Sequence, residues 1–102
     1  MAKGSLALVG SGEFLPEMSD LESLLIQDGV RNGKVPRFIQ IPTAAGQESA
    51  DRIKYWKELG RAQGERLGIE VEFLEIFNRQ DAQDKELATL IADSALIYLS
   101  GG

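Results

Sequence analysis

Residues 95–102 read ALIYLSGG: five apolar positions in a row, then a Ser-Gly-Gly turn. A strand with one wet face alternates apolar and polar residues, whereas a strand covered on both faces is apolar throughout. The stretch therefore predicts a central strand of a parallel sheet. Near the other end, LALVGSGEF (6–14) follows the same design. Residues 5–9 predict a first buried strand that runs into a glycine turn.

Between these two stretches the chain alternates. Ser19 and Glu22 have the spacing of a capping box, with Met18, Leu21, Leu24 and Leu25 on one helical face and Gly29 as the stop. Asn32-Gly33 and Pro36 punctuate a loop before a second strand, residues 38–41, which Pro42 closes. A longer helix is predicted from about Glu48 to Leu67, with Ile53, Trp56, Gly60 and Leu67 inward and Gly68 at its end. Residues 70–77 (EVEFLEIF) predict a third strand. Asp81 to Asp84 open a third helix with Leu87, Leu90 and Ile91 inward, and residues 95–99 are the fourth strand.

Strict alternation of strand and helix means a parallel sheet with helices on both faces, an α/β/α three-layer sandwich. With the common strand order 3-2-1-4, the fourth strand lies on an edge although its composition suits a covered position. Its open main chain would then invite another molecule. The chain reads as truncated. The candidates for the missing element are a downstream half, a partner chain, or a second copy pairing along residues 95–99.

Composition narrows the function. The chain has 102 residues, 43% hydrophobic and 26% charged, with a net charge of −5, which argues for one soluble domain and against nucleic acid. It has no Cys and no His, so thiol chemistry, the usual zinc ligand and the usual neutral-pH base are all missing. No spacing of acids calls for a metal, and no cofactor is predicted. The start is too short in apolar residues for a secretory signal, and no segment reaches the length of a membrane span. These features predict a cytoplasmic protein with no membrane partner.

In sheets of this kind ligands sit at the carboxyl ends of the strands, where strand order reverses. The turns GSGEF and SGG would flank that crevice, and their backbone N–H groups suit an anion. A dinucleotide loop needs G-x-G-x-x-G opening a helix directly. Gly10 and Gly12 fit, but Leu15 takes the third position, Pro16 intervenes, and Glu13 places a negative charge beside any phosphate. For Gly10 and Gly12 the plainer reading is a tight turn, and for Glu13 a solvated loop acid. Trp56 reads as core, Thr43 as a turn hydroxyl, and Asp81 and Asp84 as capping residues.

LVGSGEF, IPTAAGQE (41–48), FNRQDA (77–82) and IYLSGG, in this order, resemble one family across essentially the whole chain. The resemblance is to the N-terminal half of the type 1 glutamine amidotransferase-like hydrolases grouped with cyanophycinase and aspartyl dipeptidase. It implies a flavodoxin-like sandwich and a serine hydrolase acting on small peptides, at bonds near acidic residues. It also implies a nucleophile in a G-x-S-A-G-like elbow after a fifth strand, with a His further on, and Gly101 and Gly102 beside that nucleophile as oxyanion donors. Gly10, Ser11, Gly12 and Glu13 would line the same crevice.

This chain departs from that pattern. None of its seven serines lies in a G-x-S-x-G elbow, and without His no Ser-His pair exists. The expectation is that residues 1–102 form the N-terminal part of one such domain, inactive alone, with nucleophile and His beyond Gly102. The alternatives are a non-catalytic α/β binding or self-assembly module and, third, a nucleotide-binding Rossmann-like domain.

Overall fold

The computed structural model describes residues 4–101. A short 3-10 turn, Pro16–Met18, leads into α1 (Ser19–Arg31). Then come β1 (Val35–Ile41), a second 3-10 turn (Thr43–Ala45), α2 (Ala50–Leu67) and β2 (Glu70–Phe73). A four-residue turn of helix, α3 (Arg79–Ala82), precedes α4 (Lys85–Asp93) and β3 (Ser94–Leu99).

The sheet is parallel and has three strands among the described residues, in the order β2-β1-β3. Phe38 pairs with Leu96 and Gln40 with Tyr98, so β3 lies directly on β1. This corrects the expected four-strand order. Residues 5–9 form no strand, and Leu6 and Leu8 are 85% and 90% exposed. Both edges of β1 are taken, one by β2 and one by β3, so residues 5–9 cannot lie between strands as expected; they run beside the outer edge of β3 without pairing with it.

Period-two alternation sorts the core into two layers. Phe38, Leu96 and Tyr98 face one side, where Leu25 and Ile26 of α1 and Trp56, Leu59 and Leu67 of α2 pack around them. Ile39 and Ile41 face the other side, with Leu74 and Ile76, against Leu87, Leu90 and Ile91 of α4. The α/β/α sandwich is therefore present. On the α4 side, however, Leu99 of β3 remains 75% exposed.

Local chemistry explains the helix ends. Ser49 caps α2 by accepting from the Arg52 amide at 3.3 Å, and Gly68, with φ +66°, closes it. Asp84 caps α4 by accepting from the Glu86 and Leu87 amides. Three expectations fail. The capping box at Ser19 and Glu22 does not form, because the 3-10 turn delivers the Ser19 amide to the Pro16 carbonyl and both side chains turn toward α2. Leu24 is 60% exposed, its place on the inner face taken by Ile26. Gly29 lies inside α1 rather than ending it, and a Cβ there would strike the carbonyl of Ala95. The predicted third strand is also shorter than expected, although Leu74 and Ile76 beyond it are buried.

Gly60 and Gly64 bring α2 down onto the sheet. A Cβ at Gly60 would meet the buried amide of Gln40, and one at Gly64 would meet Val71. Alanine is the better helix former by about 1 kcal/mol. Overpacking of a filled site nevertheless costs about 1–3 kcal/mol. Gly60→Ala is therefore expected to lower stability in urea unfolding, and a more stable variant would contradict the close approach.

Candidate functional site

The carboxyl ends of β1 and β3 meet the loop of residues 10–15, and one buried side chain fixes that loop. Phe14 is fully buried and sits in the left-handed backbone region at φ +63°, a conformation that costs a non-glycine residue about 1–3 kcal/mol. Its ring lies on Tyr98 at 4.3 Å and near Phe38 at 6.0 Å, with Trp56 edge-on at 6.5 Å. Burial of an aromatic ring of this size outweighs the backbone strain. Arg66 of α2 holds the other side, donating to the Phe14 carbonyl at 2.8 Å.

With Phe14 locked, Glu13 points across to the turn after β3. Its Oε2 accepts from the Gly101 amide at 3.1 Å. Gly101 has φ +88°, and a Cβ there would come within 2.9 Å of the Ala45 Cβ, so the position suits only glycine. The turn is tied down below: the Ser100 amide donates to the Ile41 carbonyl at 3.2 Å, and the Gln40 Nε2 donates to the Ser100 Oγ at 3.1 Å. The Gly101 amide thus points at the crevice and bonds an anion, the chain's own carboxylate.

The structure therefore brings Glu13 and Gly101 together. Gly12, at φ +81°, is the bend that turns the loop, and its carbonyl accepts from the Leu15 amide at 3.3 Å. Gly10 and Ser11 are exposed, with open space around Gly10. Gly102 lies outside the described residues. Ser100 is buried beneath Gln40, and the Thr43 hydroxyl donates to the Ile76 carbonyl as a turn hydroxyl. Among the described residues no group of three or more Asp or Glu is arranged to hold a metal, and no helix is long and apolar enough to cross a membrane.

A groove of about 780 Å³ opens beside this contact, between residues 4–9, α1 and the free edge of β3. Glu13 and Gly101 stand on its wall, as do Glu22 and Tyr98. Sequence patterns missed Glu22, which is 1% exposed. Its Oε1 accepts from the Gln63 Nε2 at 2.8 Å, and Gln63 Oε1 accepts from the Arg66 Nε at 2.7 Å. The network Glu22–Gln63–Arg66 thus ends on the Phe14 carbonyl that positions the loop. Helical spacing placed Glu22 at a cap, and only the polar residues Gln63 and Arg66, close to the inward side of α2, signalled a buried partner.

Burial pushes the Glu22 carboxyl above its ordinary value, against the opposing effects of the Gln63 hydrogen bond and the nearby Arg66 charge. Tyr98 is pushed up to about 12, first by burial and then by the charges of Glu22 and Glu13, so it is a neutral hydroxyl.

No family model matches this chain, and no curated protein does. Among solved structures, it is similar to a peptidase from an acI-B1 Actinobacterium, at 57% identity over 97% of this chain and a TM-score of 0.93. The chain spans 41% of that peptidase's length. The likeness supports a peptidase-like family in general and agrees with an α/β/α arrangement around a three-stranded parallel sheet, consistent with a flavodoxin-like fold. Residues 1–102 are peptidase-like and contain no His, so they hold no Ser-His pair.

A buried acid whose value is raised on folding favours the fold while protonated, and that contribution is lost as pH rises through the folded value. Glu22→Gln keeps the shape and removes the charge. It is expected to raise the Tm at about pH 7, with the gap closing as pH falls toward about 4, near the ordinary carboxylate range. A lower Tm for the variant at neutral pH would show that Arg66 fully offsets the buried charge.

Proposed function

We propose that residues 1–102 are the N-terminal part of a serine-type peptidase or amidohydrolase of the cyanophycinase and aspartyl dipeptidase kind. Its substrates are small peptides cut near acidic residues, in the cytoplasm. The observation that carries this reading is the 57% identity to a peptidase along nearly the whole chain.

On this reading the chain supplies the sheet and one wall of the crevice, and polypeptide beyond Gly102 supplies the Ser elbow and the His. Gly101 and Gly102 are the oxyanion donors, because a backbone amide held toward the reacting carbonyl stabilises charge that develops only in the transition state. The Gly101 amide already bonds a carboxylate, which supports its capacity for an anion. Gly10, Ser11, Gly12 and Glu13 form the facing wall, and in catalysis the Glu13 carboxylate yields the amide to the substrate. The second reading, a self-assembly module, draws on the free edge of β3 and the exposed Leu99.

The test is turnover of aspartyl dipeptides by the purified 102-residue chain and by a fusion of this chain to the unmatched remainder of the acI-B1 peptidase. The chain alone is expected to be inert and the fusion active, with Ser→Ala at the elbow of the added part abolishing turnover. Robust hydrolysis by the chain alone, or a folded fusion that cuts no peptide, would overturn the reading.

A further inference from the structure

We propose that Glu22, Gln63 and Arg66 are positioning residues: as one relay they hold the Glu13 carboxylate on the Gly101 amide, so that the anion site after β3 is kept filled from within the chain. Under the peptidase reading the held carboxylate competes with substrate for that amide. This consequence rests on the reading; the relay itself does not.

The chemistry of the side chains allows the relay only one direction. Arg66 has donors and no acceptor. Its Nε donates to Gln63 Oε1 at 2.7 Å, and a terminal nitrogen donates to the Phe14 carbonyl at 2.8 Å. With its oxygen turned to Arg66, the Gln63 amide must present its nitrogen to acceptors. Glu22 Oε1 accepts from it at 2.8 Å and Ser19 Oγ at 3.3 Å. Gln63 and Glu22 are both fully buried, so water does not stand in for either partner. Carboxylate, amide, guanidinium and carbonyl therefore follow in a fixed order from α1 through α2 to the loop.

The relay meets the loop where its direction is decided. Phe14 has φ +63°, and Glu13 directly precedes it. The buried ring fixes where Phe14 sits, on Tyr98 and Phe38. The bond to its carbonyl fixes how the main chain is turned there, and the Tyr98 hydroxyl bonds the Phe14 main chain as well. An extended backbone at this residue, the ordinary conformation for an aromatic, would carry Glu13 away from Gly101.

The experiment follows the Gly101 amide of the isotopically labelled 102-residue chain by NMR as pH is varied. A charged acceptor makes the stronger hydrogen bond, so an amide bonded to a carboxylate shifts as that carboxylate ionises. The charged or titratable groups around the loop are Glu13, Glu22 of α1, Arg66 of α2 and Tyr98 of β3, and Glu13→Gln identifies the part of the response that belongs to Glu13. In the unsubstituted chain the Gly101 amide is expected to shift through the ordinary carboxylate range, about pH 3–6, and to lose that response in Glu13→Gln. Arg66→Met, at an exposed position, is expected to lose it too while the contacts of Phe38 with Leu96 persist. Glu22→Leu with Gln63→Leu exchanges the buried polar pair for apolar side chains of similar size, a change that folds often tolerate, and is expected to weaken the response. Arg61→Met, which removes only a side chain paired with the exposed Glu58 and Glu65, leaves it intact. A response unchanged in Arg66→Met or in the double variant overturns the proposal. So does an unsubstituted chain whose Gly101 amide ignores Glu13. The readout needs no turnover, so an inactive fusion with the Gly101 response intact removes the peptidase reading and leaves the relay standing.

Discussion

The arrangement of the site depends on the burial of one ring. Phe14 accepts an unfavourable backbone conformation because its side chain fills the space over Tyr98 of β3 and Phe38 of β1. Removing a fully buried Phe side chain costs about 3–5 kcal/mol, more than the strain it sustains. The ring joins the loop to both strands at once. From that anchor Glu13 reaches Gly101, and Arg66 fastens the Phe14 carbonyl to α2.

The layers of the sandwich were legible because local patterns and tertiary packing agree there. The runs at 38–41 and 95–99 form strands, Gly68 ends α2, and Asp84 caps α4, each for a reason visible in the residues themselves. Strand order was not legible. LALV is as apolar as a central strand, and nothing in its composition tells that β3 occupies the edge of β1 instead. Helical spacing equally hid that Ser19 and Glu22 answer to Gln63, more than forty positions away, and not to the start of their own helix.

Of the candidate site, the glycine turn after β3 and the loop before α1 were recognisable as crevice elements. The contact between them was not, since it requires the left-handed conformation of Phe14, which no spacing rule predicts for an aromatic residue. The same contact gives the site its chemical character. A backbone amide presented by a Gly-only turn holds a carboxylate, and the chain has no His to act as a neutral-pH base.

The central claim is that β3 lies directly on β1, with Phe14 over both and residues 5–9 outside the pair. NMR distance measurements on the 102-residue chain test it directly. The account predicts contacts from Phe38 to Leu96, from Gln40 to Tyr98, and from the Phe14 ring to the Tyr98 and Phe38 rings. Contacts from Leu6 through Val9 to Phe38 through Ile41, with none between β1 and β3, would place the first segment inside the sheet and contradict it.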